Sequence, residues 1–228
     1  MGIVQIAGIV DYQDACTLVT AGVDWVGIPL RLPVHAQDID DAEAARITAA
    51  LPSGRVVLIT YMTEPGEIIS LSRSLGIRRV QLHGEIDREA VREVRETAPD
   101  LFLVRSLVIK PGMGVDQLEE RARRVEAFVD MYLTDSHDPA TGADGATGIV
   151  HDWSISAALC QRLRLPLILA GGLRPDNVGQ AIRQVRPAGV DVHTGVEAPD
   201  GRKCPELVRQ FTLEARTAFY ELTVPRKA

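Results

Sequence analysis

Two titratable residues stand where short apolar segments of this chain end. Asp135 closes the segment Leu-Thr-Asp-Ser, and His83 lies in Gln-Leu-His-Gly-Glu. A carboxyl group at a strand end can act as a general acid or base, and histidine titrates near neutrality. Each also has a purely structural interpretation, because aspartate caps loops and histidine hydrogen-bonds to them. Both residues are therefore candidates for proton transfer.

Two glycine-bearing segments near the C-terminus indicate a phosphate site. Gly171 and Gly172 follow the apolar segment that ends at Ala170, and Thr194 and Gly195 follow another. Glycines after a strand and before a helix let backbone N–H groups approach an anion. Either segment alone could simply make a tight turn. Their occurrence together favours phosphate binding.

Metal and redox sites are not predicted. No other histidine has the spacing of a metal-binding pair, and the cysteines lack Cys-x-x-Cys spacing. These residues are His35, His137, His151 and His193, and Cys16, Cys160 and Cys204. No Gly-x-Ser-x-Gly, P-loop or dinucleotide-binding motif is present.

The elements that must position these residues follow a repeated β-then-α pattern. Strands are predicted at residues 3–6, 23–28, 56–60, 79–83, 102–106, 131–135, 167–170 and 190–194. Helices are predicted at residues 11–21, 41–51, 67–75, 87–97, 116–127, 154–163, 176–185 and 205–222. Eight units of about 27 residues predict an α/β protein with a closed (β/α)8 TIM barrel, in one domain over residues 1–228. An open doubly wound sheet is the alternative.

Composition limits the class of function. The 228 residues carry a formal net charge of −6, with 46% hydrophobic and 4% aromatic residues. This balance is typical of a globular protein and argues against nucleic-acid binding. No apolar segment reaches the roughly 18 residues of a membrane span, and no signal peptide is recognised, so we expect no membrane association and a cytoplasmic location. Residues 223–228 are expected to form a flexible tail.

Together these motifs resemble the phosphoribosylanthranilate isomerase family, the (β/α)8 barrels of tryptophan biosynthesis. The resemblance rests on Gln-Leu-His-Gly, Leu-Thr-Asp-Ser, Gly-Ala-Thr-Gly, Ala-Gly-Gly-Leu and Gly-Val-Glu, in that order along nearly the whole chain. It implies an Amadori rearrangement of an N-phosphoribosyl aminobenzoate by an intramolecular aldose-ketose isomerase. It assigns Asp135 as the acid that opens the furanose ring. The residues that it implies for phosphate binding are Gly148, Gly171, Gly172, Thr194 and Gly195.

The resemblance also implies partners and cofactors. The substrate is a phosphorylated small molecule, and the protein is expected as a monomer or homodimer. No metal or organic cofactor is expected, because the family's chemistry only moves protons between side chains. Gln5, Arg31, Gln37 and Arg105 are the candidates for binding the remainder of the substrate.

The first two strands depart from the family pattern. The family has Lys-Ile-Cys-Gly with the cysteine as general base, whereas this chain has Gln5-Ile6-Ala7-Gly8. The family's arginine after the second strand, which pairs with the anthranilate carboxylate, has no counterpart at that spacing; Arg31 lies a few residues earlier. The candidates for a replacement base are His83, Asp11, Tyr61 and His137.

Three interpretations of these departures remain at this stage. The chain could be the isomerase with its base replaced by substitution, or a relative acting on a different phosphosugar-type substrate. It could also be a non-catalytic protein that binds a phosphorylated metabolite.

Overall fold

The structure is a computed structural model that describes residues 2–32, 39–140, 142, 145, 148 and 150–224. Within these residues, eight strands alternate with eight helices. The strands are β1 (Ile3–Ala7), β2 (Trp25–Leu30), β3 (Val56–Thr60), β4 (Arg79–Leu82), β5 (Phe102–Ile109), β6 (Met131–Ser136), β7 (Leu167–Leu169) and β8 (Gly189–Val192). The helices are α1 (Tyr12–Thr20), α2 (Asp41–Ala50), α3 (Pro65–Leu75), α4 (Arg88–Thr97), α5 (Val115–Val125), α6 (Trp153–Arg162), α7 (Val178–Val185) and α8 (Pro205–Thr223).

The strands form a closed parallel barrel in sequence order. Each strand pairs with its neighbours in the chain, and β1 also pairs with β8, with Gln5 opposite Asp191. This closure confirms the predicted (β/α)8 barrel and excludes the open sheet. Because all strands are parallel, their carboxyl ends meet at one rim, which we call the mouth.

Acidic N-caps begin several helices. The side chains of Asp11, Asp40 and Asp87 accept backbone N–H groups at the start of α1, α2 and α4. Such caps satisfy donors that have no partner within the helix. Helices α3 and α8 begin with proline, which suits the first turn because it has no N–H that would need a partner there.

The barrel interior changes from apolar to polar towards the mouth. Side chains alternate between the interior and the helix layer along each strand. The interior cluster of Val57, Val104, Leu133 and Ile168 is apolar. Nearer the mouth, the buried polar residues are Gln5, Gln81, His83, Ser106, Asp135 and Asp191. A larger apolar layer packs the outer faces of the strands against the helices.

The predicted elements differ from the observed ones at their ends. The eighth strand ends at Val192 and not at residue 194, because Thr194–Val196 form a short 3-10 turn. The fifth strand continues to Ile109, three residues beyond the predicted end, and pairs with β6 up to Ser136. Helix α8 includes Thr223, which the sequence had placed in the tail. Within the described part of the chain, no helix has the length and apolarity to cross a membrane.

Candidate active site

One cavity at the mouth brings the predicted acid and the predicted phosphate-binding residues together. Asp135 at the end of β6 lines it with residues that follow β7 and β8. The predicted phosphate-binding residues on its wall are Gly148, Gly171, Gly172, Thr194 and Gly195. The cavity therefore combines a carboxyl group with two glycine-bearing loops.

The glycines of this cavity meet local geometric requirements. Gly171 and Gly172 have φ values of +90° and +63°, in the left-handed region that favours glycine. A Cβ on Gly171 would also overlap Ser136 Oγ, and one on Gly195 would overlap the carbonyl oxygen of Leu173. The loops after β6, β7 and β8 are thus packed too closely for side chains at these positions.

Asn177 fixes the loop after β7. Its Oδ1 accepts the backbone N–H of Arg174 at 2.7 Å, and its Nδ2 donates to the carbonyl of Gly172 at 3.0 Å. Two hydrogen bonds from one amide hold Gly172 in place before α7 begins at Val178. The loop is therefore shaped in advance for a ligand.

Asp135 is buried beside His83. The carboxyl group is 7% exposed, and its Oδ1 accepts the backbone N–H of Ser136 at 2.8 Å. Its Oδ2 lies 3.9 Å from His83 Nε2. A Cβ on Gly145 would come within 2.7 Å of both Asp135 Oδ2 and His83 Nε2, so glycine also allows the loop after β6 to pass over this pair.

The imidazole of His83 is held by neighbours in the barrel interior. Its Nδ1 lies 2.9 Å from Ser106 Oγ and 3.3 Å from Gln81 Nε2. The ring of Tyr61 lies against it with centroids 4.9 Å apart. These contacts direct Nε2 towards Asp135.

Gln5 and Ala7 occupy the mouth end of β1. Gln5 is fully buried and donates from Nε2 to Gln81 Oε1 at 2.9 Å. Ala7 is 3% exposed and close to Gly27 of β2, where an added Cβ would lie 2.9 Å from that of Ala7. A methyl group cannot accept a proton, so β1 itself supplies no base at this position.

Asp191 is a site residue that the sequence reasoning missed. It is 6% exposed, lies opposite Gln5 and lines the same cavity as Asp135. Burial and the charge of Asp135 raise the pKa of Asp191 to about 8. A signal was present in the sequence, because Asp191 is flanked by Val190 and Val192 inside a buried strand, and aspartate is almost never fully buried unless it is paired.

His151 lies close to Ser136 and Gly171, beside the cavity. Its Nδ1 lies 3.1 Å from Ser136 Oγ, and its Nε2 lies 2.7 Å from Ser156 Oγ. Burial lowers the pKa of His151 to about 4, so the ring is neutral at physiological pH. The spacing argument had dismissed this histidine as a metal ligand, and its structural role was not anticipated.

The predicted substrate-binding arginines lie away from this cavity. Arg31 follows β2 and makes a bidentate ion pair with Asp41, at 2.6 and 2.8 Å. Arg105 is next to Ser106 on β5, so its side chain lies on the opposite face of the strand. It donates from Nη1 to the carbonyls of Leu82 and Gly84, at 2.9 and 2.6 Å. Gln37 lies outside the described residues.

The other candidate bases are also placed. Asp11 caps α1 and pairs with Arg202 at 2.6 Å, which commits its carboxylate. Tyr61 packs on His83, and His137 follows β6 with its backbone N–H bonded to the carbonyl of Ile109 at 3.4 Å. Among the described residues, no three or more His, Cys, Asp or Glu side chains are grouped as metal ligands.

The chain is similar to known proteins over nearly its whole length. Residues 4–214 match the family described as N-(5'-phosphoribosyl)anthranilate (PRA) isomerase. An N-(5'-phosphoribosyl)anthranilate isomerase of Haloferax volcanii is 36% identical over 217 residues, covering 94% of this chain and 93% of the relative. The isomerase 2 of Methanosarcina mazei is 32% identical over 222 residues, covering 96% of each chain.

Solved structures agree. The phosphoribosyl anthranilate isomerase of Thermotoga maritima superposes with a TM-score of 0.80 at 32% identity, covering 95% of this chain and all of the other. A second structure, of the enzyme in complex with reduced 1-(o-carboxyphenylamino)-1-deoxyribulose 5-phosphate, has a TM-score of 0.78 at 30% identity, with coverage of 95% and 100%. With its barrel, its mouth cavity and these relatives, the chain belongs to the N-(5'-phosphoribosyl)anthranilate isomerase family.

Proposed function

We propose that this protein isomerises N-(5'-phosphoribosyl)anthranilate to 1-(o-carboxyphenylamino)-1-deoxyribulose 5-phosphate. This reaction is an Amadori rearrangement in tryptophan biosynthesis. One observation carries the proposal: the cavity joins Asp135 to all five of the predicted phosphate-binding residues. Family membership supports the same reaction and favours it over a binding-only role. A different phosphosugar substrate has no specific observation in its favour.

The phosphate would bind at the loops after β7 and β8. Backbone N–H groups next to Gly171, Gly172 and Gly195 can approach an anion without side-chain obstruction. Barrel enzymes commonly bind phosphate at this place, after strands seven and eight. Bound there, the phosphate would place the sugar between these loops and Asp135.

Asp135 is proposed as the general acid. Its proton would pass to the furanose ring oxygen as the bond from that oxygen to C1 breaks and the amine nitrogen forms a C1=N double bond. His83, 3.9 Å from Asp135 Oδ2, is proposed as the residue that positions this carboxyl group. General acid catalysis of this kind contributes roughly 10²- to 10⁴-fold.

The anthranilate end of the substrate would point towards β1 and β2. Arg31 stays a candidate partner for the aromatic carboxylate, although Asp41 already occupies its guanidinium. Gln5, behind Ala7, is a candidate for shaping the polar floor of the site. We further propose that the protein works in the cytoplasm on this phosphorylated small molecule, as a monomer or homodimer.

The experiment is turnover of freshly generated phosphoribosylanthranilate, followed by the change in anthranilate fluorescence. We expect turnover by the wild-type chain and its loss in Asp135→Asn. A wild-type chain that binds the reduced deoxyribulose product analogue but shows no turnover would overturn the proposed reaction while leaving the phosphate site in place.

A further inference from the structure

Asp191 is a buried carboxyl group that the proposed reaction has not yet used. It lies on β8, lines the cavity with Asp135 and is 6% exposed. Within the described part of the chain, its Oδ1 has no hydrogen-bond partner. Burying a carboxylate in this way is costly unless the group is paired or protonated. The position of Asp191 at the wall of the cavity is therefore energetically unfavourable for its ionised form.

The groups around Asp191 leave its charge poorly compensated. Gln5 on β1, directly opposite in register, interacts with both Gln81 and Asp191 through its side-chain amide, but it is uncharged. Lys203, before α8, is engaged with Glu197 at 2.7 Å and with the carbonyl of His193 at 3.1 Å. The charged group on β6 that lines the same cavity is another carboxylate, Asp135, with His83 3.9 Å from its Oδ2.

Burial and mutual repulsion disfavour the state in which Asp135 and Asp191 are both ionised. Burial and the charge of Asp135 raise the pKa of Asp191 to about 8, against the smaller opposing effects of a Gln5 hydrogen bond, the Lys203 charge and a hydrogen bond with the backbone of Val192. This basicity is close to that of a free cysteine thiol, whose pKa is about 8.5. When the proton is on Asp135, the ionised Asp191 can accept a proton, and its burial still makes it more basic than an exposed carboxylate.

We propose that Asp191 is the general base of the isomerisation, acting with Asp135 as a carboxyl pair that shares one proton. This inference rests on the proposed function and supplies the base that Ala7 cannot. It makes Asp191, across the β1–β8 seam from Gln5, the acceptor of the sugar C2 proton.

The proton transfers balance within this pair. Asp135 gives its proton to the ring oxygen as the ring opens to the iminium ion. Asp191 then takes the C2 proton, the C–H electrons form a C1=C2 double bond, and the electrons of the C=N bond return to nitrogen. As the resulting enol-amine becomes the ketone, the C2 hydroxyl gives its proton to Asp135 and C1 takes the proton held by Asp191, so that Asp135 is again protonated and Asp191 again ionised.

The first test compares Asp191→Asn with Asp135→Asn, using substrate that carries deuterium at C2. We expect Asp191→Asn to lower kcat about 100-fold or more and to leave KM within about threefold, because the neutral amide keeps the shape but cannot accept a proton. The deuterium isotope effect on kcat should rise in Asp191→Asn above its value in Asp135→Asn, since removal of the C2 proton becomes limiting.

Asp14→Asn is the matched control. Asp14 is also a buried carboxyl group, 3% exposed, but it pairs with Arg202 at 3.4 Å and lies outside the cavity wall. We expect this variant to keep the kcat and the isotope effect of the wild-type chain.

The second test needs no turnover. The infrared spectrum of the wild-type protein at neutral pH should contain the carbonyl stretch of a protonated carboxyl group, and Asp191→Asn should lack it. Gln5→Lys should also remove this band, because a cation opposite Asp191 favours its ionised form, and it should lower kcat by weakening the base.

The outcomes separate this inference from the proposed function. A wild-type chain without turnover would overturn both the proposed function and the catalytic role of Asp191. The infrared band would then test only whether Asp135 and Asp191 share a proton. Turnover in the wild type that survives in Asp191→Asn with an unchanged isotope effect would overturn this inference only. Persistence of the band in Asp191→Asn would mean that the protonated carboxyl group is not part of this pair, and it would overturn the shared proton.

Discussion

The two sides of the barrel mouth are built by different means. On the β7–β8 side, which we call the backbone side, Gly171, Gly172 and Gly195 shape the cavity through backbone conformation and close packing. On the β1–β6 side, which we call the side-chain side, the mouth is shaped by side chains such as Gln5, His83 and Asp135, and the first two hydrogen-bond across the interior. The first side resembles the family pattern, whereas the second departs from it at Gln5 and Ala7.

This difference follows from what each side must recognise. A phosphate is the same anion in many ligands, and backbone N–H groups bind it whatever the rest of the molecule is. Proton transfer depends on the basicity and placement of individual side chains, and several arrangements can supply these. A base can therefore move from one strand to another while the phosphate side stays unchanged.

The largest expected effect is on the side-chain side of this comparison. Asp135→Asn should lower kcat/KM by about 10²- to 10⁴-fold, because the amide cannot donate the proton that opens the ring. The affinity for the reduced product analogue, measured by calorimetry, should change little. Retained turnover in this variant would remove Asp135 from the mechanism.

The free energy of unfolding should depend on pH through His151, which lies next to the backbone side of the mouth. The pKa of His151 is about 4 in the folded protein and about 6.5 when unfolded, so the unfolded chain binds more protons between these values. This contribution to the free energy of unfolding is complete above pH 6.5 and falls by about 3 kcal/mol as the pH drops to 4.

The His151 effect is isolated by comparison with His151→Asn in urea unfolding at pH 7 and pH 4.5. Acidification should destabilise the wild type more than the variant, by about 2 to 3 kcal/mol. The oppositely directed contribution of Asp191 is present in both proteins and cancels. Equal acid sensitivity of the two proteins would contradict a half-buried His151 that is neutral in the folded protein.

Gly171→Ala tests whether the backbone side is as rigid as its contacts indicate. The new Cβ would meet Ser136 Oγ in a left-handed conformation, and we expect a loss of about 2 kcal/mol in stability. The KM should rise about tenfold, which corresponds to roughly 1.4 kcal/mol of lost binding.

The matched control for Gly171→Ala is Gly201→Ala. Gly201 has a similar φ of +83°, but an added Cβ would meet nothing within 4 Å. The control should therefore show the backbone strain, about 1 to 2 kcal/mol, with an unchanged KM. Equal KM values in the two variants would argue that the β7 loop does not hold the phosphate.

The smallest effect is expected at Arg31, on the outer rim of the side-chain side. Its ion pair with Asp41 is largely exposed, so Arg31→Gln should cost less than about 1 kcal/mol in unfolding experiments. We expect KM to stay within about threefold, since Asp41 already engages the guanidinium. A much larger rise in KM would sharpen the comparison by making Arg31 the partner of the aromatic carboxylate.

The sequence predicted the fold well because its signals are local. The strands are short apolar segments, and six of the eight helices in the described residues begin with a capping aspartate or a proline, so the β-then-α order could be recognised without knowledge of contacts. The ends were less accurate, as at β8, where the 3-10 turn of Thr194–Val196 depends on packing against neighbouring loops. The two glycine-bearing loops were recognised because glycine itself is the signal.

The buried polar groups were harder to interpret. Asp191 was missed and His151 was considered only as a metal ligand, because their roles depend on partners that are distant in sequence. Arg105 was a candidate on residue type alone, and its position on the outer face of β5 follows from the alternation of side chains along that strand.

By itself, the sequence determined that eight strands end at a common rim and that an acid and two glycine-bearing loops lie there, because parallel βα units place all strand carboxyl ends on one side. Only the tertiary structure decided which side chains meet across that rim. Closure of β1 onto β8 sets Asp191 opposite an uncharged Gln5 and in the same cavity as Asp135. The basicity of a buried carboxyl group is fixed by such neighbours and by the loss of water, and neither can be read from its position in the chain.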